Sequence, residues 1–290
     1  MRILISGGTG YVGRRLVERL LDQGHEVAVV SRSEPKPDAR YRYVWYDGTA
    51  MSLDAALEGW SVDATVHLAA DVGKGHQPAD QDGLMASNVT FPVHLAQASC
   101  TAGAKRFVNI STFSTFSRPD AYSPQTFYAA TKKAAEDLLA FFHQASLLSV
   151  CTLCFYDVYG PGQPHKRFLP SLIASISSGS PMVMSPGEQE ICFLHVEDAV
   201  AAIETCLHSD VAFADPVANI YTVCGDDIMR LKEVPGVVAE ALGKPTPVLE
   251  TTLPYRPREI MKVHPPYPRF PGWGPKVRFQ DGLRQIVGQL

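Results

Sequence analysis

A phenol and an ammonium group stand four residues apart in the sequence, at Tyr128 and Lys132. If the segment is helical, the two side chains share one face, because residues i and i+4 lie one turn apart. A positive charge beside a phenol favours the phenolate, so we expect a tyrosine pKa lowered toward neutrality. Such a pair can pass a proton to or from a carbinol oxygen, which contributes roughly 10²–10⁴ in rate. The competing interpretation is a chance spacing on an amphipathic helix.

Hydroxyl side chains at the end of an apolar run favour the catalytic interpretation. The run Arg106 to Ser111 is typical of a buried strand, and Thr112 follows it directly. Ligands bind at the carboxyl ends of strands in open α/β sheets. A hydroxyl here can donate a hydrogen bond to the substrate oxygen that Tyr128 protonates. Thr112 is the first candidate, with Ser111 or Ser114 as the alternative.

A glycine-rich turn near the start of the chain indicates a second binding element. The apolar run Ile3 to Ile5 leads into glycines at positions 7, 10 and 13, then into a helical pattern. The first amides of such a helix are unpaired and suit a pyrophosphate. The strand-like run Glu26 to Val30 completes a βαβ unit of about 30 residues, the context that makes the turn a dinucleotide site. We prefer this interpretation over a purely structural turn.

The elements that position these groups alternate along the chain. Strand-like runs are Ile3 to Ser6, Val27 to Ser31, Thr65 to Ala69, Arg106 to Ser111 and Val150 to Phe155. Helical patterns separate most of them, including Ser87 to Gly103 and Tyr128 to Ser146. This alternation predicts an α/β fold, a doubly wound parallel-sheet Rossmann domain with a smaller C-terminal substrate-binding lobe.

Proline usage suggests where that lobe begins, because prolines become frequent after Gly160 and again from Pro235. We expect residues 1–160 to form the dinucleotide-binding domain, with 191–224 returning to it. Residues 161–190 and 225–290 are expected to form the substrate-binding lobe. Within this lobe, we expect the segment from Pro254 to Pro275 to form an irregular cap over the site.

The amino-acid composition limits the kinds of molecule that the chain is expected to bind. The 290 residues are 46% hydrophobic and carry a formal net charge of -4, which argues against nucleic acid or an anionic membrane as partner. No apolar run approaches the ~20 residues that span a bilayer, and the first strand begins at once, so we expect a cytoplasmic protein. Cys151 and Cys154 form a Cys-x-x-Cys motif inside an apolar run. Such a run favours buried thiols in the core over a redox or metal site, so we predict no bound metal.

Taken together, these motifs resemble the extended short-chain dehydrogenase/reductase family, also called the NAD-dependent epimerase/dehydratase family, which works mostly on nucleotide sugars. Beyond the glycine turn and the Tyr128/Lys132 pair, the matching segments are Asp47, His67-Leu68-Ala69-Ala70, Asn88-Val89, Val158-Tyr159-Gly160-Pro161-Gly162, Phe193 to Ala199 and Gly272-Trp273-Gly274-Pro275. Phe127 to Lys132, Asp157 to Gly162 and Met184 to Gln189 are similar to the branch of CDP-abequose and CDP-paratose synthases. Those enzymes reduce a 4-keto deoxysugar nucleotide with NADPH.

The resemblance implies a role for each matching position. Asp47 would hold the adenine amine, Asn88 would steady the loop around the cofactor, and Lys132 would bond the nicotinamide ribose as well as join Thr112 and Tyr128 in the catalytic set. The residues expected at the cofactor are Gly7, Gly10, Tyr11, Val12, Gly13, Ser31, Arg32, Asp47, Gly48, Leu68, Ala69, Ala70, Asn88, Lys132, Tyr156 and Val158. The residues expected at the substrate are Val72, Phe113, Ser114, Asp157, His165, Arg167, Phe168 and Arg258. Asp198 begins a helix and could be a cap or a ligand.

One departure from the family concerns the cofactor. NAD enzymes usually place an acidic residue at the end of the second strand, where it binds the adenosine ribose hydroxyls. This chain has Ser31 and Arg32 there. Arg32 can bind a 2′-phosphate through charge-assisted bonds of ~1.5–3 kcal/mol, about 10- to 100-fold in affinity. We therefore predict NADP(H), against the alternative of a solvated arginine.

Other departures concern the substrate. Dehydratases of the family follow the catalytic threonine with Asp-Glu, where this chain has Phe113-Ser114, so a 4,6-dehydratase is not expected. Asp157 replaces the usual asparagine, and Ile191 replaces an arginine that contacts the diphosphate in many relatives. The cations that could substitute are His165, Lys166, Arg167, Arg256 and Arg258, unless these loops are simply solvated.

These observations predict an NADPH-dependent ketoreductase that acts at C4 of a nucleotide-linked deoxysugar, with Tyr128 as general acid. The alternatives are a nucleotide-sugar 4-epimerase that retains NAD, a carbonyl reductase whose substrate bears no nucleotide, and a redox-sensing dinucleotide-binding protein. A homodimer through the helices after Ser87 and Tyr128 is what the resemblance implies.

Overall fold

A seven-stranded parallel sheet forms the centre of the computed structural model, which describes residues 1–33, 40–73, 77–119, 121–163 and 167–289. The strands in chain order are β1 (Arg2–Ser6), β2 (Glu26–Ser31), β3 (Arg42–Trp45), β4 (Ala64–His67), β5 (Arg106–Thr112), β6 (Ser149–Phe155), β7 (Asp157–Tyr159), β8 (Met182–Val183), β9 (Glu190–His195), β10 (Asn219–Val223), β11 (Ile228–Arg230) and β12 (Leu249–Glu250). The helices are α1 (Tyr11–Asp22), α2 (Ala50–Leu57), α3 (Pro78–Met85), α4 (Phe91–Thr101), α5 (Phe127–Gln144), α6 (Phe168–Ser178), α7 (Val196–His208), α8 (Val234–Leu242) and α9 (Phe279–Val287).

The order of the large sheet is β10-β6-β5-β4-β1-β2-β3, and every pair in it is parallel. Such strands are buried on both faces and read as continuous apolar runs, as Ile3, Leu4 and Ile5 do at 0% exposure. The strand order reverses on either side of β1, and a ligand crevice forms at the carboxyl ends of the strands at such a point. The predicted doubly wound sheet is confirmed.

The predicted helices are also present, with one difference in detail. A π-helical turn, Ala86–Thr90, precedes α4 within the segment that the sequence predicts as one regular helix. Pro92 lies in the first turn of α4 and has no N–H to donate back to residue 88. The wider turn ahead of it accommodates this missing bond. None of the described helices has both the length and the apolar character needed to cross a membrane.

A smaller assembly lies beside the large sheet. β9 pairs parallel with β7 and antiparallel with β11, and β8 pairs with β12. α6, α8 and α9 contribute to its core, which includes Tyr159 and Phe193. Residues 191–195 therefore pair in the smaller sheet, whereas α7 and β10 pack with the large one. The division into two domains stays a prediction.

The tail from Pro254 to Pro275 contains no helix or strand, as the sequence predicts, and every residue of it is described. It follows the edge of the large sheet: Phe270 lies in the sheet's core at 1% exposure, and Thr222 of β10 accepts a hydrogen bond from the Phe270 amide at 3.1 Å. At the carboxyl edge of the sheet, a ring nitrogen of His264 lies 2.9 Å from the Phe116 carbonyl oxygen.

Candidate active site

The turn between β1 and α1 needs glycine at two of its three positions. Gly7 has a φ of +72°, and a Cβ there would lie 2.6 Å from the Ala69 amide nitrogen. A Cβ on Gly13 would lie under 3.0 Å from the Gly7 carbonyl oxygen. Because backbone atoms cannot move aside cheaply, only glycine lets the turn pack this closely against the end of β4. Gly10 is less crowded, with its Cβ position 3.1 Å from the same oxygen.

The first turn of α1 is open to an anion. Gly10 is the N-cap, so no side chain caps the helix, and its first turn contains no acidic residue. The free amides and the helix dipole therefore favour a phosphate at this end. Tyr11 and Val12 flank the turn, and the Arg15 guanidinium lies 4.6 Å from the centre of the Tyr11 ring. This cradle fits the diphosphate of a dinucleotide.

Residues expected at the adenosine lie at the ends of β2 and β3. Arg32 is exposed and forms no ion pair with any residue that the structure describes. The Ser31 hydroxyl oxygen accepts a bond from the Ser33 amide at 3.1 Å. Asp47 accepts bonds from the Thr49 amide (2.8 Å) and hydroxyl (2.7 Å), which lower the pKa of its carboxyl. Gly48 follows with a φ of +106°.

The loop after β4 is held by two polar side chains. The Ser6 hydroxyl oxygen lies 2.7 Å from His67 Nδ1 and accepts a bond from the Ala69 amide at 3.3 Å. The Asn88 amide accepts from the Asp71 N–H and donates to the Asp71 carbonyl oxygen, both at 2.9 Å. Leu68 is half-buried against the sheet core, whereas Ala70 and Val72 are exposed.

Asn88 also donates to the Thr131 hydroxyl at 3.1 Å. It therefore ties the loop after β4 to α5 at the residue directly before Lys132. The start of α5 is fixed in turn by Thr126, whose hydroxyl accepts from the Ala129 amide at 3.2 Å.

Helix α5 places Tyr128 and Lys132 on one face, as the spacing predicts, but their protonation differs from the expectation. Burial raises the pKa of Tyr128 to about 12, and the charge that opposes burial is the Arg167 guanidinium. Burial lowers the pKa of Lys132 to about 8, opposed mainly by Glu136. The prediction that Lys132 lowers the tyrosine pKa is wrong for this structure, because desolvation of the phenol outweighs the nearby charges.

The hydroxyl run after β5 separates into two groups. Thr112 Oγ1 lies 3.0 Å from Ser114 Oγ and accepts a bond from the Ser114 amide at 3.3 Å. Both residues are less than one-tenth exposed. Ser111 instead donates to the Glu136 carboxylate of α5. The candidates for a substrate-facing hydroxyl are therefore Thr112 and Ser114, which act as a bonded pair.

Aromatic residues line the neighbouring wall. Phe113 stacks on Tyr156 with ring centres 4.5 Å apart and an interplanar angle of 11°. Tyr156 is 4% exposed and packs against Cys192 and Cys224. Val158 of β7 follows, and its carbonyl oxygen accepts from Gln163 at 3.0 Å.

The region expected to bind substrate contains charges of both signs. The Arg167 guanidinium lies 3.7 Å from the Asp157 carboxylate, and burial raises the pKa of Asp157 against the opposing charges of Arg167 and Arg256. Glu259 accepts a bond from the Arg256 amide at 3.2 Å and one from Gln125 at 3.4 Å. The tail thus reaches the site and brings a second carboxylate to it.

The structure also describes two other residues that the sequence predicts at the substrate. Arg258 is exposed and adopts a φ of +59°, and Phe168 begins α6 and packs on the smaller core. Ile191 also packs on that core. His165 and Lys166 lie outside the described residues.

Asp198 is not the cap of α7, which is one of the two roles that the sequence suggests. Its two carboxylate oxygens accept bonds from the Lys276 and Val277 amides, each at 3.0 Å. The N-cap of α7 is His195, whose Nδ1 accepts from the Glu197 amide at 3.3 Å. Asp198 therefore anchors the tail.

Sequence reasoning missed two groups near Lys132 and α5: one lies on the helix itself and the other comes from the tail. Glu136 lies one turn after Lys132 at 4% exposure, and Tyr267 of the tail donates to it at 3.5 Å. The i+4 spacing from Lys132 could have indicated Glu136. Nothing local in the sequence could have indicated Tyr267, because its approach depends on the path of the tail.

Comparisons with known proteins agree with this arrangement. The model of the NAD dependent epimerase/dehydratase family matches residues 3–221. CDP-abequose synthase of Salmonella typhimurium is 27% identical over 218 residues, 71% of this chain and 70% of that protein. ADP-L-glycero-D-manno-heptose-6-epimerase of Nitratidesulfovibrio vulgaris is 32% identical over 228 residues, 68% of this chain and 69% of that protein. The crystal structure of Thermus thermophilus UDP-glucose 4-epimerase in complex with NAD has a TM-score of 0.81 and 26% identity, covering 99% of this chain and 98% of that one.

Proposed function

Because the chain belongs to the NAD-dependent epimerase/dehydratase family, we propose that it reduces a keto group of a nucleotide-linked deoxysugar with NADPH. C4 of the sugar is the proposed position. The similarity to CDP-abequose synthase supports a reductase, and its epimerase relatives support the nucleotide-sugar class of substrate.

The placement of Tyr128 and Lys132 on one face of α5, which packs against the end of β5, is the observation that carries this proposal. Burial raises the pKa of Tyr128 to about 12, which favours the protonated phenol. Reduction of a carbonyl needs a proton donor, and a protonated phenol can supply that proton. The bonded hydroxyls of Thr112 and Ser114 end the neighbouring strand, where one of them can bond the same carbonyl oxygen.

Each group then has a defined task. The glycine turn and the first amides of α1 would hold the diphosphate, and Lys132 and Asn88 would order the nicotinamide end. When bound, the reduced dinucleotide supplies a hydride to the carbonyl carbon. The Tyr128 hydroxyl gives its proton to the carbonyl oxygen, and Thr112 or Ser114 donates a hydrogen bond that stabilises the developing negative charge. The tyrosine recovers a proton from solvent.

Preference for NADP(H) is the second part of the proposal. Arg32 is exposed at the end of β2, and none of the described residues 31–33 is acidic. A reductase must exchange its dinucleotide in each turnover, and a 2′-phosphate bound by an exposed arginine permits both recognition and release.

Two measurements on the purified protein test the reaction. NADPH consumption is followed with 4-keto-6-deoxy sugars linked to CDP, UDP, dTDP or GDP, and the denatured protein is analysed for released dinucleotide. We expect turnover with at least one nucleotide and substoichiometric bound cofactor. Stoichiometric NAD with interconversion of a 4-hydroxyl epimer would replace the proposal by the epimerase alternative. Turnover of only nucleotide-free carbonyls, or dinucleotide binding without turnover, would favour a simple carbonyl reductase or a redox sensor.

We also propose a homodimer in the cytoplasm, with 161–190 and 225–290 as the substrate-binding lobe. Leu138 and Phe141 on α5 are 43% and 62% exposed, and a second copy of α5 could cover them. Light scattering should give twice the mass of one chain. A monomer at micromolar concentration would contradict this part.

A further inference from the structure

A buried carboxylate occupies the catalytic helix one turn after Lys132. Glu136 and Lys132 are 4% and 2% exposed, whereas charged residues are almost never fully buried without compensation. Lys133 and Asp137, each one position further along, form an ion pair in which the Asp137 side chain is 68% exposed. The same helix therefore carries a lysine and an acid at i and i+4 twice. Lys133 and Asp137 form an ion pair at the surface, whereas Lys132 and Glu136 are both buried one helical turn apart, with no ion pair within 4.0 Å between them.

Three elements hold the Glu136 carboxylate in place. Ser111 at the end of β5 donates to Oε1, and Tyr267 of the tail donates to Oε2 at 3.5 Å. Lys133 Nζ lies 3.9 Å from Oε2. Burial raises the pKa of Glu136, while the Ser111 bond and the charges of Lys133 and Lys132 oppose that rise. These partners stabilise the ionised carboxylate inside the protein.

The other titratable groups near Lys132 supply no negative charge. Cys154 of β6 faces it, and burial raises the pKa of that thiol well above its usual range. His67 of β4 interacts with the Lys132 charge, and burial lowers its imidazole pKa. Both are therefore neutral near pH 7. Among the residues that the structure describes, Glu136 is the buried carboxyl group one helical turn from Lys132, where a negative charge would oppose the lowering of the Lys132 pKa by burial.

We infer that Glu136 is a positioning residue that keeps the Lys132 ammonium protonated, and that Ser111 and Tyr267 hold its carboxylate in place. The consequence for catalysis rests on the proposed function, since a charged Lys132 donates stronger bonds to ribose hydroxyls than a neutral amine does. The state of Lys132 itself does not depend on the reaction. Because Tyr267 belongs to the tail, the inference also links the cap to the catalytic lysine.

Competitive acetylation tests the inference without any substrate. The full chain is treated with a trace of acetic anhydride between pH 6 and 10, and modification of Lys132 is quantified by peptide mass spectrometry relative to the exposed Lys105. Only the neutral amine reacts, so the pH midpoint reports the protonation of Lys132. The variants are Glu136→Gln, Ser111→Ala and Asp137→Asn, and circular dichroism checks that each is folded. Asp137→Asn is the matched control, because it removes a carboxylate from the exposed pair.

We expect a midpoint near pH 8 in the natural chain and in Asp137→Asn. Removing a nearby buried charge shifts such a midpoint by about one pH unit or more, so Glu136→Gln should acetylate roughly five-fold faster at pH 7. Ser111→Ala should move the midpoint in the same direction by less, and it serves as the second test if Glu136→Gln does not fold. An unchanged midpoint in the folded variants would overturn the inference.

Kinetics separate this inference from the proposed function. If the chain reduces nucleotide sugars, kcat/KM should decrease as the pH rises. We expect this decrease to begin at a lower pH in Glu136→Gln than in the natural chain. If no substrate turns over, the acetylation result still stands by itself. A drop in kcat/KM that is equal at every pH, with an unchanged acetylation midpoint, would mean a purely structural role and overturn the inference.

Discussion

The cofactor half and the substrate half of the candidate site are built in different ways. Around the glycine turn, the main chain makes the shape: Gly7 and Gly13 lie against backbone atoms, and Asn88 bonds the backbone of the facing loop. In the substrate half, charged side chains from separate segments form the site: Asp157 of β7 lies near Arg167, and Glu259 comes from the tail. Backbone geometry recognises what all dinucleotides share, whereas side chains on loops can be exchanged to select among substrates.

Replacing Tyr128 by Phe should have the largest effect, because it removes the hydroxyl proton that is proposed to protonate the carbonyl oxygen. We expect kcat for ketone reduction to fall by roughly 10²–10⁴, with dinucleotide affinity nearly unchanged. Steady-state kinetics and fluorescence titration with NADPH measure the two quantities. Unchanged kcat would remove Tyr128 from the mechanism.

Gly13→Ala should damage the cofactor half specifically. The added Cβ would lie under 3.0 Å from the Gly7 carbonyl oxygen, and relieving such overpacking costs typically 1–3 kcal/mol, up to roughly 100-fold in dinucleotide affinity. Gly236→Ala is the control, because nothing lies within 4 Å of its Cβ position in α8. If Gly13→Ala and Gly236→Ala both bind NADPH as tightly as the natural chain does, dinucleotide binding does not require the close approach of Gly13 to the Gly7 carbonyl oxygen.

Arg32→Ala should reduce the preference of the chain for NADPH over NADH. We expect the natural chain to bind NADPH at least about 10-fold more tightly than NADH, and the variant to lose most of that preference by weakening NADPH alone. Isothermal titration of both dinucleotides measures it. Equal affinities in the natural chain would show that Arg32 is a solvated residue and that the cofactor assignment is wrong.

Asp157→Asn should produce the smallest effect and should act on the substrate half only. The change frees Arg167 from a partly exposed ion pair, which is worth at most about 1 kcal/mol, so KM for an anionic nucleotide sugar should fall less than about five-fold. The Kd for NADPH should stay the same. A higher KM would mean that the Asp157 carboxylate itself binds the substrate.

Much of the cofactor half could be predicted because its signals are local. Gly7 and Gly13 are close in sequence, and Tyr128 and Lys132 are one helical turn apart, so spacing alone places them together. The pKa of Tyr128 could not be predicted in the same way, since desolvation depends on everything packed around the phenol. Asp198 and Tyr267 were beyond local reasoning, because their partners are 78 and 131 residues away in the chain.

The sequence by itself determined the parallel sheet, the glycine turn and helix α5, because apolar periodicity and glycine placement act over a few residues. Only the tertiary structure decided that Ser111 bonds Glu136, that Asp198 anchors the tail, and that Lys132 is buried one helical turn from a buried carboxyl group. These outcomes depend on contacts between distant segments. The electrostatics of the site arise from burial, a property that no single stretch of sequence carries.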